Sequence, residues 1–342
     1  MLNLFLYKGI EGIPNSRLMT LFTSENEEEG GLFQMSKVEP FRNMVSFVNE
    51  PDQADYIFLP HDYMAVRGNE EYISELKRFL EDTGKKVMLF AYADHNEPLD
   101  FDRAVILRPT VYKSLKKDNE IIIPAFIDDL ASQHAFESRG KDNEKPVIGF
   151  AGMVKLSTLW LEIKFQIKIL MARFSSSDLS RLQGLFYRRK AVKILRQSSL
   201  VETNFIIRDS YSASKATISD DPEVIRREYI QNLKDCDLGL TIRGNGNYSL
   251  RFFELLALGK TPLFLDTDCA LPLEDSIEYD SFIVRVDHKD VNKLPEKVSE
   301  FWSNISEADY KEMQRKGRET FEQKLKADVF YSNLFQSLKQ EA

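Results

Sequence analysis

Short apolar runs recur along the chain and alternate with stretches whose apolar residues fall every three or four positions. The runs at 2–7, 56–59, 87–90, 105–107 and 120–123 are too short for buried helices and are bounded by turn residues, so they predict strands. Between them, 70–82 places Tyr72, Leu76, Phe79 and Leu80 on one stripe, the pattern of a helix buried on one side. Strands alternating with helices predict parallel sheets covered on both faces, because a parallel connection needs a crossover. The segment 25–31, with four glutamates and two glycines, predicts an exposed loop.

A polar stretch around 140–146 precedes Val147-Ile148-Gly149-Phe150-Ala151-Gly152, a buried strand running into a glycine turn, and marks a linker. Beyond it the alternation resumes. A long helix is predicted over 157–174, followed by a basic stretch at 188–196, a strand at 204–207 and a helix at 222–233. From 306 to the last residue the pattern is helical and charged, with Phe321, Leu325, Val329, Phe330 and Leu334 as its apolar stripe.

A length of 342 residues suits two domains better than one core. The boundaries predicted are 1–145, 146–305 and a helical segment 306–342. A composition of 43% hydrophobic and 29% charged residues is that of a soluble globular chain. A net charge of −8 argues against a general nucleic-acid binder, which would need a basic surface to replace phosphate counterions. The two cysteines, Cys236 and Cys269, lack metal spacing and read as buried thiols. His61, His95, His134 and His288 are scattered, so no metal site is expected. The opening MLNLFLYKGIEGIP has too short an apolar core for a signal peptide, and no stretch approaches a membrane span. A cytoplasmic chain without a transmembrane segment is therefore expected.

The densest signal lies between Leu238 and Pro272. Leu238, Leu240 and Ile242 suit a strand end, Arg243 to Asn247 are turn residues, Ser249 can cap a helix that Gly259 ends, and Thr261 to Leu265 return to strand. Such a unit aims backbone N–H groups and a positive dipole end at whatever sits above the loop, which favours phosphate. Arg251 and Glu254 share one face of an otherwise apolar helix.

Taken together, the Ser-Leu-Arg of the loop, the Phe-Glu two residues on, the Gly-Lys-Thr-Pro turn, Leu271-Pro272 and Ser281-Phe282-Ile283-Val284 resemble the exostosin-like glycosyltransferases. Upstream, Arg226-Arg227-Glu228-Tyr229 with Leu233 is similar to the helix that family carries before the strand, although Asp235-Cys236 replaces its usual serine. The stretch Asp52-Gln53-Ala54-Asp55-Tyr56-Ile57-Phe58-Leu59-Pro60 looks like a first-domain strand of the same family. The resemblance covers most of 50–300. It implies a GT-B fold of two Rossmann-like domains facing a central cleft, and transfer of a sugar from a nucleotide-sugar donor to a hydroxyl of a glycan or other acceptor. It also implies a final helix that crosses back to the first domain.

Under that resemblance Glu254 accepts hydrogen bonds from ribose hydroxyls; the alternative is an ion pair with Arg251. Arg243 and Arg251 are expected to hold the diphosphate, since a guanidinium fork matches phosphate oxygens. Gly244, Gly246 and Asn247 are expected to supply positive-φ freedom and close approach to phosphate, although any turn would use them, and Asn245 and Ser249 are counted with them on the donor side. Arg208, at another strand end, either binds phosphate or pairs with Asp209. Gly152 and Lys155 belong to the first loop of the second domain. Asp266-Thr267-Asp268 is not read as a metal motif. The general base is sought after strands of the first domain, at His61 and Asp62 or at Asp94 and His95. A retaining enzyme would carry a glutamate where Gly246 stands, so inversion without a metal or other cofactor is expected. The alternative is an inactive sugar-nucleotide-binding or scaffold protein of the same fold. A dinucleotide-dependent oxidoreductase is disfavoured, since no Gly-x-Gly-x-x-Gly follows the first strand.

Overall fold

The computed structural model describes residues 1–23, 39–41, 43–132, 138–154, 159–174, 184–208 and 221–342. Among these residues the chain is mixed α/β, with two sheets in which every strand pairing is parallel. The expected loop at 25–31 lies outside the described residues, as do His134, Asp209 and Lys155.

The first sheet runs through β1 (Leu2–Leu6), β2 (Val45–Val48), β3 (Tyr56–Asp62), β4 (Val87–Phe90), β5 (Ala104–Arg108) and β6 (Glu120–Ile122), in the order β2-β1-β3-β4-β5-β6. Helices α1 (Arg17–Thr23), α2 (Tyr63–Val66) and α3 (Glu70–Thr83) lie between them. Helix α3 buries Tyr72, Leu76 and Leu80 of the expected stripe, and Asn69 caps it by accepting from the Tyr72 N–H at 3.1 Å.

The second sheet comprises β7 (Val147–Met153), β8 (Glu202–Arg208), β9 (Leu238–Thr241), β10 (Thr261–Asp266) and β11 (Val284–Asp287), in the order β11-β10-β9-β7-β8. Helices α4 (Leu159–Phe174), α5 (Gly184–Gln197), α6 (Pro222–Lys234), α7 (Leu250–Ala257) and α8 (Leu294–Asn304) accompany it. Then α9 (Glu307–Thr320), a π turn over Phe321–Leu325 and α10 (Ala327–Glu341) complete the chain. Phe330, Tyr331, Phe335 and Leu338 of α10 pack among Leu2, Leu4, Phe58 and Phe90. The last helix thus closes the core of the first sheet, at roughly 1.5–3 kcal/mol for each large apolar side chain it buries.

The order in which strands are added reverses between β1 and β3 in the first sheet and between β7 and β9 in the second. Open parallel sheets bind ligands beyond the carboxyl ends of their strands at such switch points. The segments that follow β4 and β5 touch those that follow β9 and β10, so the carboxyl ends of the two sheets face one another. No helix among the described residues is long and apolar enough to cross a membrane.

Candidate functional site at the facing strand ends

The β7–β9 ladder stops early. Ile148 pairs with Leu238 and Gly149 with Gly239, and beyond that rung the strands part. The guanidinium of Arg251, in the first turn of α7, fills the fork: it donates to the carbonyl of Ala151 on β7 and, at 3.4 Å, to that of Leu240 on β9. Two carbonyls released by the broken ladder are therefore satisfied by one charged side chain. The same head lies 4.7 Å from the Phe150 ring centroid and 5.3 Å from that of Tyr229, and Gly152 borders it. Its Nε–H is buried and meets no hydrogen-bond acceptor among the described residues.

Glu254 occupies the next turn and is 1% exposed. One oxygen accepts from Arg226 Nη1 at 2.8 Å and the other from the Tyr229 hydroxyl, both on α6. This corrects one expectation. The ion-pair partner of Glu254 is Arg226 rather than Arg251, and each carboxylate oxygen is engaged from α6. Burial and then the charge of Glu254 raise the Tyr229 hydroxyl far above its ordinary pKa, so it remains a donor. The far end of α7 is anchored as well, with Arg318 of α9 donating to the Ala257 carbonyl and pairing with Asp129. Ser249 stands at the N-cap position in extended conformation, but its side chain makes no capping bond. The expected cap is present in place and absent in chemistry.

The loop before α7 behaves differently from the phosphate cradle expected of it. Asn247 has no exposure, and its N–H donates to Asn96 Oδ1 at 2.7 Å and Thr110 Oγ1 at 2.6 Å, across from the first sheet. Its amide donates to the carbonyls of Thr267 and Asp268, its Oδ1 accepts from Thr267 and its carbonyl from the Cys269 thiol. Asn245 accepts from Asn96 Nδ2 at 3.2 Å through its carbonyl. Arg243 is 4% exposed; it donates to the Tyr112 hydroxyl at 3.1 Å and to the Asn245 carbonyl at 2.8 Å, its head 5.4 Å from the Tyr112 ring. Nearby, Tyr112 and Cys269 form an antiparallel bridge, and Lys113 and Ser114 bond to Asp268. These residues form a seam that clasps the two sheets together, which explains why such a polar loop is buried.

Neither Gly244 nor Gly246 has positive φ, against expectation. What Gly246 supplies is space: a Cβ there would lie 2.6 Å from Asp94 Oδ1. The carboxylate of Asp94, exposed at the end of the segment after β4, thus occupies the position where a side chain at 246 would stand. Gly184 is glycine for a related reason, since a Cβ on it would collide with the carbonyls of Arg243 and Gly244.

The structure separates the other base candidates. His61 is 2% exposed and both ring nitrogens are engaged, Nε2 accepting from the Ile10 N–H at 2.7 Å and Nδ1 lying 3.0 Å from the Pro14 carbonyl. It ties down the segment after β1 and has no nitrogen left to move a proton. Asp62 caps α2 at Met64 and accepts from the Tyr92 N–H, a structural use of both oxygens, and burial raises its pKa. His95 is half-buried, and burial, then Arg67 and Arg108, hold its pKa below the ordinary 6.5. Its carbonyl and that of Glu97 accept from Arg108, which forms a buried ion pair with Glu120 beneath the segment.

Arg208 pairs with Glu228 of α6 at 2.7 Å. Asp266 is held by Arg285 and accepts from the Cys269 N–H. Among the described residues no three His, Cys, Asp or Glu side chains come together as a metal site requires. Both cysteines are free and buried; burial pushes the Cys236 thiol up to about 11 and that of Cys269 higher still.

Sequence reasoning passed over Arg226 and Tyr229 as site residues, although both stand in the Arg-Arg-Glu-Tyr run that carries the resemblance. It also passed over Asn96 and Thr110, whose one signal is their position just after strands. The chain matches no protein-family model and no curated protein.

Proposed function

We propose that the protein is a glycosyltransferase of GT-B architecture, moving a sugar from a nucleotide-sugar donor to a hydroxyl acceptor with inversion and without a metal. The donor lies over the β7/β9 fork and the acceptor against the strand ends of the first sheet. One observation carries this reading: the part-exposed guanidinium of Arg251 stands in the fork at the switch point, braced by the carbonyls of Ala151 and Leu240. A diphosphate oxygen is the kind of group that such a donor suits. The exostosin-like pattern of residues 226–284 supports it from the sequence side.

In the proposed reaction the acceptor oxygen attacks the anomeric carbon from the face opposite the nucleotide as the bond from that carbon to the diphosphate oxygen breaks. Asp94, on the acceptor side, takes the acceptor proton, and Arg251 stabilises the charge on the leaving diphosphate. Glu254 acts through others, holding Arg226 and Tyr229 around the fork. Proton NMR of the product tests this reading: the anomeric centre should be inverted, and transfer should persist in chelator. Retention, or loss of all transfer with chelator, overturns the mechanism. Binding of a nucleotide sugar without any transfer or slow hydrolysis would favour the scaffold alternative instead.

A further inference from the structure

Helix α4 carries two apolar stripes on opposite sides. At ~100° per residue, Phe165 and Ile169 fall on one side and Trp160, Ile163, Ile167, Leu170 and Met171 on the other. The first stripe is buried against α5, where Arg189 stacks on Phe165 at 5.0 Å and pairs with Glu162. The second is open to solvent, with Trp160 60%, Ile163 51%, Ile167 52%, Leu170 53% and Met171 66% exposed. Scattered apolar residues on a surface need no account, but a contiguous stripe of five does.

Charge indicates what covers it. Helices α4 and α5 together hold eight Lys and Arg and one acid, Glu162, in a chain whose net charge is −8. A cleft of about 320 Å³ between the helices, lined by Leu170, Phe186, Lys190 and Lys193 among others, joins the apolar stripe to the basic side. At the stripe's other end the Lys164 ammonium sits 3.4 Å from the Trp160 ring centroid. An indole and long cationic side chains beside aliphatic ones are the composition of a helix lying in a lipid headgroup layer. A symmetric contact with a second copy would instead bring two like-charged basic faces together.

We propose that α4 and α5 form a docking surface for an anionic lipid bilayer, with the Trp160–Met171 stripe entering the headgroup layer and the basic side meeting lipid phosphates. This inference does not depend on the glycosyltransferase reading. The full chain should sediment with vesicles of equimolar phosphatidylcholine and phosphatidylglycerol but not with phosphatidylcholine alone. The emission of Trp160 should shift to the blue on binding, a shift absent from Trp160→Phe; the other tryptophan, Trp302, is 2% exposed. Ile167→Glu and the double change Lys164→Glu with Lys193→Glu should each weaken vesicle binding about tenfold or more while leaving the circular dichroism unchanged. Three results would overturn the proposal: no binding to anionic vesicles, equal binding to neutral ones, or a dimer in analytical ultracentrifugation that Ile167→Glu dissolves.

Discussion

The loop 243–247 and the first turns of α7 adjoin in sequence, yet they use their polar atoms in opposite ways. In the loop, Asn247 is fully buried and its polar atoms bond to partners on both sides of the seam. On the helix, Arg251 is part-exposed and braced by two strand-end carbonyls and two aromatic rings. The loop has the residue types of a phosphate cradle and acts as a clasp. The helix lacks a side-chain cap and carries the guanidinium that fills the fork. Glycine and asparagine are indifferent between these uses, because tight packing of two backbones and close approach to a ligand ask for the same small, polar residues.

The largest effect is expected where the loop meets the segment that follows β4. Asp94→Asn should lower kcat about 10²–10⁴-fold, the range for loss of a general base, with donor affinity unchanged. Gly246→Ala should lower kcat in the same direction, because its methyl would displace the carboxylate. Steady-state kinetics with a donor-binding control checks both. If Asp94→Asn retains full kcat, the proton goes elsewhere and His95 becomes the group to test.

Asn247→Ala should act on stability rather than on chemistry. It strands the hydroxyl and the buried carbonyl of Thr267 and leaves the Asp268 carbonyl with the Lys113 N–H as its donor, so about 2–3 kcal/mol should be lost in denaturant unfolding. An unfolding midpoint equal to wild type would mean that the clasp is not part of the folded ground state. Glu254→Gln should cost somewhat less, about 1.5–3 kcal/mol, because a glutamine can still accept from one of its two partners. Its donor affinity should fall only through displacement of Arg226 and Tyr229.

How much of this was legible beforehand follows the range of the interactions involved. The β9–α7–β10 unit was readable because its signals are local: apolar strand residues, a turn, a helix ended by Gly259 at φ 61°, and a strand. Strand β2 was not, since Val45–Val48 is interrupted by Ser46 and leaves Phe47 39% exposed at the sheet edge. The role of Asn247 was hidden because its partner Asn96 lies 151 residues away. No local pattern tells a loop which chain segment will meet it. The Arg226–Glu254 pair was hidden for the same reason, whereas the shared helix face of Arg251 and Glu254 was readable from their spacing alone.

The smallest expected effect concerns pH. The folded pKa of His95 lies below its ordinary 6.5, for burial and then Arg67 and Arg108 disfavour its charged form. A depressed folded pKa means that its contribution to stability is complete above the unfolded value and is lost as pH falls through the folded one. Denaturant unfolding at pH 7.5 and at pH 5 should therefore show a small drop for wild type that His95→Asn reduces. An equal drop in both proteins would assign the acid sensitivity to other groups.

The central claim is that the anion-binding cation of this unit is Arg251 and that the loop is structural. Calorimetric titration of a panel of nucleotide sugars into wild type, Arg251→Ala and Asn247→Ala tests it directly. Wild type should bind one such donor, and Arg251→Ala should bind it about ten- to a thousandfold more weakly, the loss of one charge-stabilising donor. Asn247→Ala, less stable, should bind it within a few-fold of wild type. Undiminished binding by Arg251→Ala, or loss of binding confined to Asn247→Ala, would contradict the account.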